Sequence, residues 1–165
     1  EKEQHTNEFK SYICNFFFCK GKIDIYDIIK THEKGEVSMN PNNMNILVLA
    51  YLGDSVYEHY IRTYLIHQNI ANVNDLQTAS LRYVSAKSQA KIVQELINRN
   101  QLTEEEQAIY RRARNAKNNH HPKNCDIVTY KQATGLEGII GYLEILGKTD
   151  RIQEIIKMIV GEIVC

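Results

Sequence analysis

One segment constrains the fold of this 165-residue chain more than any other feature. Residues 46–57 read ILVLAYLGDSVY, so apolar side chains fall on every side of a helix, and a single carboxylate, Asp54, stands among them. A helix that is apolar all round is expected inside a protein rather than at its surface. We therefore predict a helix over residues 45–67 that is buried on every side, with Tyr51 and Tyr57 in the core.

The rest of the chain after residue 39 also has helical periodicity and helix-capping residues. No run of strict alternation between apolar and polar residues predicts a strand. A capping box at residues 103–106 opens one helix, and Ser, Asp and Thr residues can cap others. The predicted fold class is all-α, and the further helices span residues 74–83, 85–99, 103 onward, 126–147 and 149 onward.

A second carboxylate stands in an equally apolar segment. Glu137 lies within residues 133–143, ATGLEGIIGYL. A buried carboxylate without a partner is costly, and two of them suggest a shared one. Mg²⁺ fits that role because it takes a few carboxylates together with water and phosphate oxygens. The alternative is that each acid bonds a helix N-terminus or an Arg. Glu58, one turn after Asp54, is either a further ligand or a solvated residue.

Four glycines weaken the same two helices. Gly53, Gly135, Gly138 and Gly141 stand in helix interiors, where glycine costs about 1 kcal/mol relative to Ala. Glycine at such positions permits a close approach of helix backbones. We predict that the two helices are pressed together with their carboxylates facing one cleft; the alternative is a tight crossing with no functional meaning.

A cluster of basic residues supplies the main candidate for nucleic-acid contact. The formal net charge is zero, so the chain is no polycation and RNA binding must depend on a local patch. Residues 111–123, RRARNAKNNHHPK, contain five permanent cations and no acid. Such a segment either contacts phosphates and 2′-hydroxyls or is a solvated helix end.

Four motifs, in order, resemble a known family. Residues 49–58, LAYLGDSVYE, resemble the signature helix of the ribonuclease III family, and residues 83–90, YVSAKSQA, resemble its second marker. Residues 112–117, RARNAK, followed by PKN at 122–124, and residues 133–142, ATGLEGIIGY, are more similar to one branch, the Mini-III ribonucleases. The match covers about residues 45–151.

The departures from full-length ribonuclease III agree with that branch. Leu47 and Ala50 stand where the full-length enzymes carry two glutamates, and Thr134 stands where they carry an aspartate. Mini-III ribonucleases are similar to this chain in keeping one Asp and one Glu as the essential pair. They also lack the separate double-stranded-RNA-binding domain, and the chain has no segment that resembles one.

The resemblance implies a dimeric, helical endonuclease domain. It implies a homodimer that cleaves double-stranded RNA into products with 5′-phosphate and 3′-hydroxyl ends, with Asp54 and Glu137 as catalytic residues and Mg²⁺ ligands. The implied substrate is the 23S ribosomal RNA precursor, on which ribosomal proteins are candidate further partners. The residues expected to bind RNA are Arg112, Arg114, Lys117 and Lys123.

Two other functions remain open at the level of the sequence. The first is a non-catalytic helical dimer that binds structured RNA, and Asp54 and Glu137 argue against it. The second is a helical protein–protein module with no RNA role, which a basic segment without RNA binding would favour.

The sequence also predicts the cellular compartment of the protein and the boundaries of its domains. The four cysteines form no CxxC pair, and no segment predicts a signal peptide or a membrane span, so we expect reduced thiols and a cytoplasmic protein. His120, His121 and Cys125 lack a fourth ligand at zinc spacing. Residues 39–165 are the expected catalytic domain. Residues 1–38 are an N-terminal extension or, if Met39 is the true start, translated leader.

Overall fold

The computed structural model describes residues 40–117 and 125–163, and this part of the chain is helical without any strand. The all-α prediction is therefore confirmed. Residues 1–39 lie outside the described residues, so the division of the chain at residue 38 stays a prediction. After a 3-10 turn at Pro41–Asn43, the helices are α1 (Ile46–His67), α2 (Val73–Val84), α3 (Ala86–Asn98), α4 (Glu104–Arg114), α5 (Ile127–Ile145) and α6 (Thr149–Met158), with a π-helical turn at Ile159–Ile163.

Most of these helices are capped at their N-terminus by a polar side chain at the predicted residue. The Thr103 hydroxyl accepts a hydrogen bond from the Glu106 backbone N–H, and the Glu106 carboxylate accepts one from the Thr103 N–H, which completes the capping box. The Asp126 carboxylate caps α5 by accepting from the N–H groups of residues 128 and 129. Both caps satisfy backbone donors that have no partner within the helix.

The predicted cap of the last helix is wrong. Thr149 is the first helical residue of α6, and the cap position belongs to Lys148, which makes no side-chain capping hydrogen bond. The reason lies in the preceding helix. Gly147, with φ at +66°, follows the end of α5 in the left-handed conformation that glycine adopts freely, and only residues 146–148 separate the two helices.

Helix α5 lies at the centre of the fold, with α1, α3 and α4 packed around it. Between residues 133 and 143 every side chain position of α5 is buried except that of Glu137, which is half-buried. This confirms the prediction that Glu137 stands in a buried helix. The fully enclosed core side chains include Leu49, Tyr57, Ile61, Val93, Leu96, Leu136, Ile139, Ile140, Ile152 and Ile155.

Two glycines bring α1 and α5 into backbone contact. A Cβ atom added to Gly53 would lie 1.8 Å from the carbonyl oxygen of Glu137, and one added to Gly141 would lie 1.8 Å from that of Leu49. Residue numbers rise along one helix as they fall along the other, so the helices are antiparallel. The predicted close approach is confirmed for this pair.

The other two glycines contact a different helix. A Cβ on Gly135 would lie 2.4 Å from the ring of Tyr110, and one on Gly138 would lie 2.8 Å from the Cβ of Ala113. Tyr110 and Ala113 both belong to α4. Gly135 and Gly138 therefore admit α4 against the central helix, rather than α1 as the sequence predicted.

Helix α1 is not buried on every side within one chain. Tyr57 is fully buried, as predicted, but Tyr51 is 80% exposed and Val48 is 52% exposed, and Asp54 is exposed as well. The prediction of burial all round is wrong for the single chain, because α1 packs on α5 with one face and leaves the opposite face open. None of the described helices is long and apolar enough to cross a membrane.

Candidate active site

The two predicted catalytic carboxylates come together at the crossing of α1 and α5. Gly53 lies against the backbone of Glu137, and Asp54 is the next residue of α1. The negative charge of Asp54 raises the pKa of Glu137, as does that of Glu58 to a smaller extent. Carboxylates influence each other in this way only when they are close. The structure thus places Asp54, Glu58 and Glu137 in one acidic cluster.

The environments of the two principal carboxylates differ. Burial, followed by the charges of Asp54 and Glu58, raises the pKa of Glu137 to about 7. Asp54 is more open to solvent; its partial burial and then the charge of Glu58 raise its pKa as well. Burial is the largest cause of both shifts, so the two carboxylates lie in surroundings that disfavour their charged forms, which is a feature of functional sites.

Glu58 has a partner of its own. Its carboxylate pairs with the Arg62 guanidinium one turn along α1, at 2.5 Å, and two-thirds of the Arg62 side chain is exposed. An exposed pair at this spacing contributes little to stability. Glu58 is thus half-buried and ion-paired, and its charge also raises the pKa of Glu137 to a small extent.

A residue that sequence reasoning missed completes the cluster. Gln89, in the first turn of α3, is 2% exposed, and its carboxamide is near enough to Glu137 to lower that carboxyl's pKa. Its Nε2 makes no geometrically sound hydrogen bond to any described residue. Gln89 falls inside the second family marker, but nothing in the local pattern distinguishes it from an ordinary helix residue.

The donor set fits Mg²⁺ better than a metal held by protein ligands alone. No group of three or more His, Cys, Asp and Glu side chains in residues 40–117 and 125–163 is placed to hold a metal ion. Asp54 and Glu137 are two carboxylates that could hold such an ion with hard oxygen atoms, and Asp54 is open to solvent. Mg²⁺ commonly binds through one or two carboxylates and keeps waters and substrate phosphates as its other ligands.

The raised pKa of Glu137 predicts a pH dependence for the stability of the metal-free protein. Between about pH 4.5, the value for an unperturbed Glu, and about pH 7, the folded state binds more protons than the unfolded state. The free energy of unfolding should therefore fall as pH rises through this window and then level off. Glu137→Gln removes this dependence, so above pH 7 it should be more stable than the wild type by about 3 kcal/mol.

Urea denaturation in a chelator at pH 5 and at pH 8 measures the effect. The relevant quantity is the difference between wild type and variant, in which other titrating groups cancel. Glu144→Gln, two turns along the same helix and exposed, should behave like the wild type. Equal stability of wild type and Glu137→Gln at both pH values would show that Glu137 ionises normally.

The predicted RNA-binding residues occupy unequal positions at the end of α4. Arg112 is half-buried and donates to the Met44 carbonyl oxygen, so it also ties α4 to the start of the described chain. The Arg114 guanidinium lies over the Tyr110 ring, 5.7 Å from its centroid, and Lys117 is exposed. Lys123 lies outside the described residues. Cys125 is a free thiol, while His120 and His121 also lie outside the described residues.

Comparisons with known proteins agree with this geometry. The ribonuclease III domain family matches residues 47–148, which include both carboxylates and the basic helix end. The Mini-ribonuclease 3 of Brevibacillus brevis is 45% identical over 125 residues, covering 76% of this chain and 92% of the relative. That of Enterococcus faecalis is 42% identical over 120 residues, covering 73% and 91%.

A solved structure is similar as well. The crystal structure of a Fusobacterium nucleatum protein superimposes with a TM-score of 0.64 at 37% sequence identity. The match covers 72% of this chain and 93% of that protein. The similarity thus extends from the sequence motifs to the arrangement of the helices.

Proposed function

The chain belongs to the ribonuclease III family and is an endoribonuclease of the Mini-ribonuclease 3 type, and on this premise we propose that it hydrolyses double-stranded RNA with Mg²⁺ held by Asp54 and Glu137. The family acts on double-stranded RNA and generally depends on a divalent metal. The observation that carries the proposal is the meeting of these two carboxylates at the helix crossing, with their pKa values raised.

Each carboxylate has a defined task in this mechanism. Mg²⁺ bound at this position would supply Lewis-acid chemistry, lowering the pKa of water and stabilising negative charge on the phosphate. Glu137 approaches from the buried helix and must lose its proton to become a ligand, which its pKa of about 7 permits near neutral pH. Asp54 approaches from the open face of α1, where the scissile phosphate can reach it. The products carry 5′-phosphate and 3′-hydroxyl ends.

Cleavage of a long RNA duplex, with and without Mg²⁺, tests the activity. The expected result is metal-dependent conversion to shorter duplexes, with a single strand of the same sequence left intact. A duplex that is bound but uncut at every Mg²⁺ concentration would support the alternative, a non-catalytic protein that binds structured RNA. Absence of both binding and cleavage would favour a protein–protein module.

The proposed cellular substrate is the precursor of 23S ribosomal RNA. Its paired segments offer the duplex that the mechanism needs, and ribosomal proteins bound to the precursor are candidate helpers. This role places the enzyme in the cytoplasm, where the precursor is made.

We further propose that the enzyme is a homodimer formed through the open face of α1. Val48, Tyr51 and Ile66 are 52%, 80% and 62% exposed, and their spacing puts them on one side of the helix. A second copy of the chain can cover this apolar stripe, and the family is usually dimeric. Asp54 borders the stripe, so the dimer brings two sites together for the two strands of a duplex.

Tyr51→Glu should convert the dimer to a monomer. Placing a carboxylate on a packed apolar interface costs several kcal/mol when no partner is available. Analytical ultracentrifugation at micromolar concentration should find a dimer for the wild type and a monomer for the variant. Gln153→Glu adds the same charge at an exposed position of α6 and should remain dimeric. A monomeric wild type would contradict the proposal.

The basic residues should govern how RNA affinity depends on salt. If Arg114, Lys117 and Lys123 contact phosphates, each substitution by Ala should flatten the slope of log affinity against log salt by roughly 0.7 to 1 through lost counterion release. The loss should be similar for duplexes of different sequence, because the deep RNA major groove hides the base edges. Arg112→Ala should also lower stability, since its guanidinium bonds the Met44 carbonyl.

Fluorescence anisotropy of a labelled duplex over a salt series, in Ca²⁺ or chelator to prevent cutting, measures these slopes. Lys157→Ala, an exposed cation on α6, is the matched control and should keep the wild-type slope. Unchanged slopes for all of the substituted basic residues would identify the segment as a solvated helix end and place the RNA elsewhere.

A further inference from the structure

The buried carboxamide of Gln89 is the one polar side-chain group in the described residues that is fully enclosed and lacks a partner for its nitrogen. Gln89 is 2% exposed and lies in α3, which packs against the central helix α5. Buried polar groups are normally hydrogen-bonded, and an exception calls for an explanation such as a functional role. The Nε2 of this residue is a donor enclosed beside the acidic cluster.

One turn before Glu137, its own helix offers no hydrogen-bond donor that could orient the Glu137 carboxylate. Thr134 stands there, and its hydroxyl donates to the Tyr130 carbonyl oxygen at 3.1 Å, within the same helix. The carboxylate of Glu137 therefore depends on a neighbouring helix for any donor that fixes its rotamer. Gln89 is the buried donor on that side, since α3 packs against α5 and the Gln89 carboxamide lowers the pKa of Glu137.

We infer that Gln89 is a positioning residue, whose amide donates to the ionised carboxylate of Glu137 and fixes it in the orientation that binds the metal together with Asp54. The Nε2 of Gln89 is enclosed beside the acidic cluster and makes no sound hydrogen bond to a described residue, so it is available as a donor to that carboxylate. An ionised carboxylate is an acceptor at both oxygens, so one can accept from Gln89 while the other faces the metal. This inference rests on the proposed role of Asp54 and Glu137 as ligands.

Partners of this kind orient metal ligands in many proteins, and their loss typically lowers metal affinity by roughly 10-fold to 100-fold. Gln89→Met keeps the length of the side chain and removes the donor. It should weaken Mn²⁺ binding to the metal-free protein by about 10-fold. A purely structural role predicts a different outcome, in which Mn²⁺ affinity is kept and only the melting temperature changes.

Isothermal titration of Mn²⁺ into the full-length protein, without RNA, is the test. Gln94→Met is the matched control, because Gln94 lies on the same helix and donates to the Tyr110 hydroxyl away from the acidic cluster. It should bind Mn²⁺ like the wild type. If Gln89→Met does not fold, Gln89→Leu removes the donor with another apolar side chain. The Mg²⁺ concentration for half-maximal cleavage should rise by a similar factor.

Two further variants, measured in the same titration, distinguish failure of this inference from failure of the proposed metal site. Asp54→Asn and Glu137→Gln should lose Mn²⁺ binding. If they lose it while the Gln89 variants bind like the wild type, Gln89 does not position Glu137 and this inference is overturned. If Asp54→Asn and Glu137→Gln bind Mn²⁺ like the wild type, the proposed metal site itself is wrong.

Discussion

Asp54→Asn and Glu137→Gln should each reduce the turnover of a long RNA duplex by a thousandfold or more, which corresponds to about 4 kcal/mol of lost transition-state stabilisation. Both variants keep the shape of the side chain and remove the negative charge that holds the divalent ion. With only two carboxylates proposed as ligands, neither can replace the other. Saturating Mg²⁺ should therefore not restore the rate.

Single-turnover cleavage with excess enzyme measures the loss directly. Duplex affinity should stay close to that of the wild type, because phosphate contacts come mainly from the basic segment. Glu144→Gln, also on α5 but exposed, should cleave at the wild-type rate. Cleavage at near wild-type rates by either active-site variant would refute the assignment of that residue.

Gly53→Ala and Gly141→Ala should prevent stable folding. In each case the new Cβ atom would lie 1.8 Å from a backbone carbonyl oxygen of the opposite helix, well inside van der Waals contact. A side chain could rotate away, but a backbone carbonyl can move only if the whole helix moves. We expect a loss of about 5 kcal/mol or more, which is most of the stability of an ordinary domain.

Gly161→Ala is the control for this effect, because nothing lies within 4 Å of the added Cβ atom there. Its stability should remain within about 0.5 kcal/mol of the wild type. Thermal unfolding monitored by circular dichroism distinguishes the variants. A cooperative transition near the wild-type temperature for Gly53→Ala would show that α1 and α5 are separated farther than the structure places them.

The sequence predicts helices well in this chain because capping is local. Thr103, Glu106 and Asp126 bond backbone groups within three residues, so the pattern alone identifies the helix starts. The same reasoning misplaced the cap of the last helix, since Thr149 has the right chemistry for a cap. The short connection after α5 sets its position, since Gly147 turns the chain in the left-handed conformation and α6 begins two residues later, at Thr149 itself.

Burial of the signature helix could not be predicted to the same degree. An apolar face looks the same in sequence whether the chain itself covers it or a second copy does. Tyr57 and Tyr51 illustrate the two cases, since the first is fully buried in one chain and the second is 80% exposed. The composition of α1 therefore predicted that its faces would be covered, but not by which element.

The contacts of the other site residues join parts of the chain that are distant in sequence, so they are harder to predict. Asp54 and Glu137 stand out because a carboxylate in an apolar segment is unusual. Gln89 does not stand out, since polar side chains in helices are common, and the basic pattern that singles out Arg112 does not reveal which group its guanidinium contacts. Their interactions, with the Glu137 carboxylate and with the Met44 carbonyl oxygen, arise only when α3 and α4 pack against the rest of the fold.

In the proposed mechanism Asp54 and Glu137 hold the divalent ion that acts on RNA. The most direct test is a crystal structure of the full-length protein with Mn²⁺, in which anomalous scattering locates the ion. We predict an anomalous peak within about 2.0–2.3 Å of carboxylate oxygens from both residues, with waters as the other ligands. Mn²⁺ bound at another position, with these two carboxylates free of it, would contradict the account.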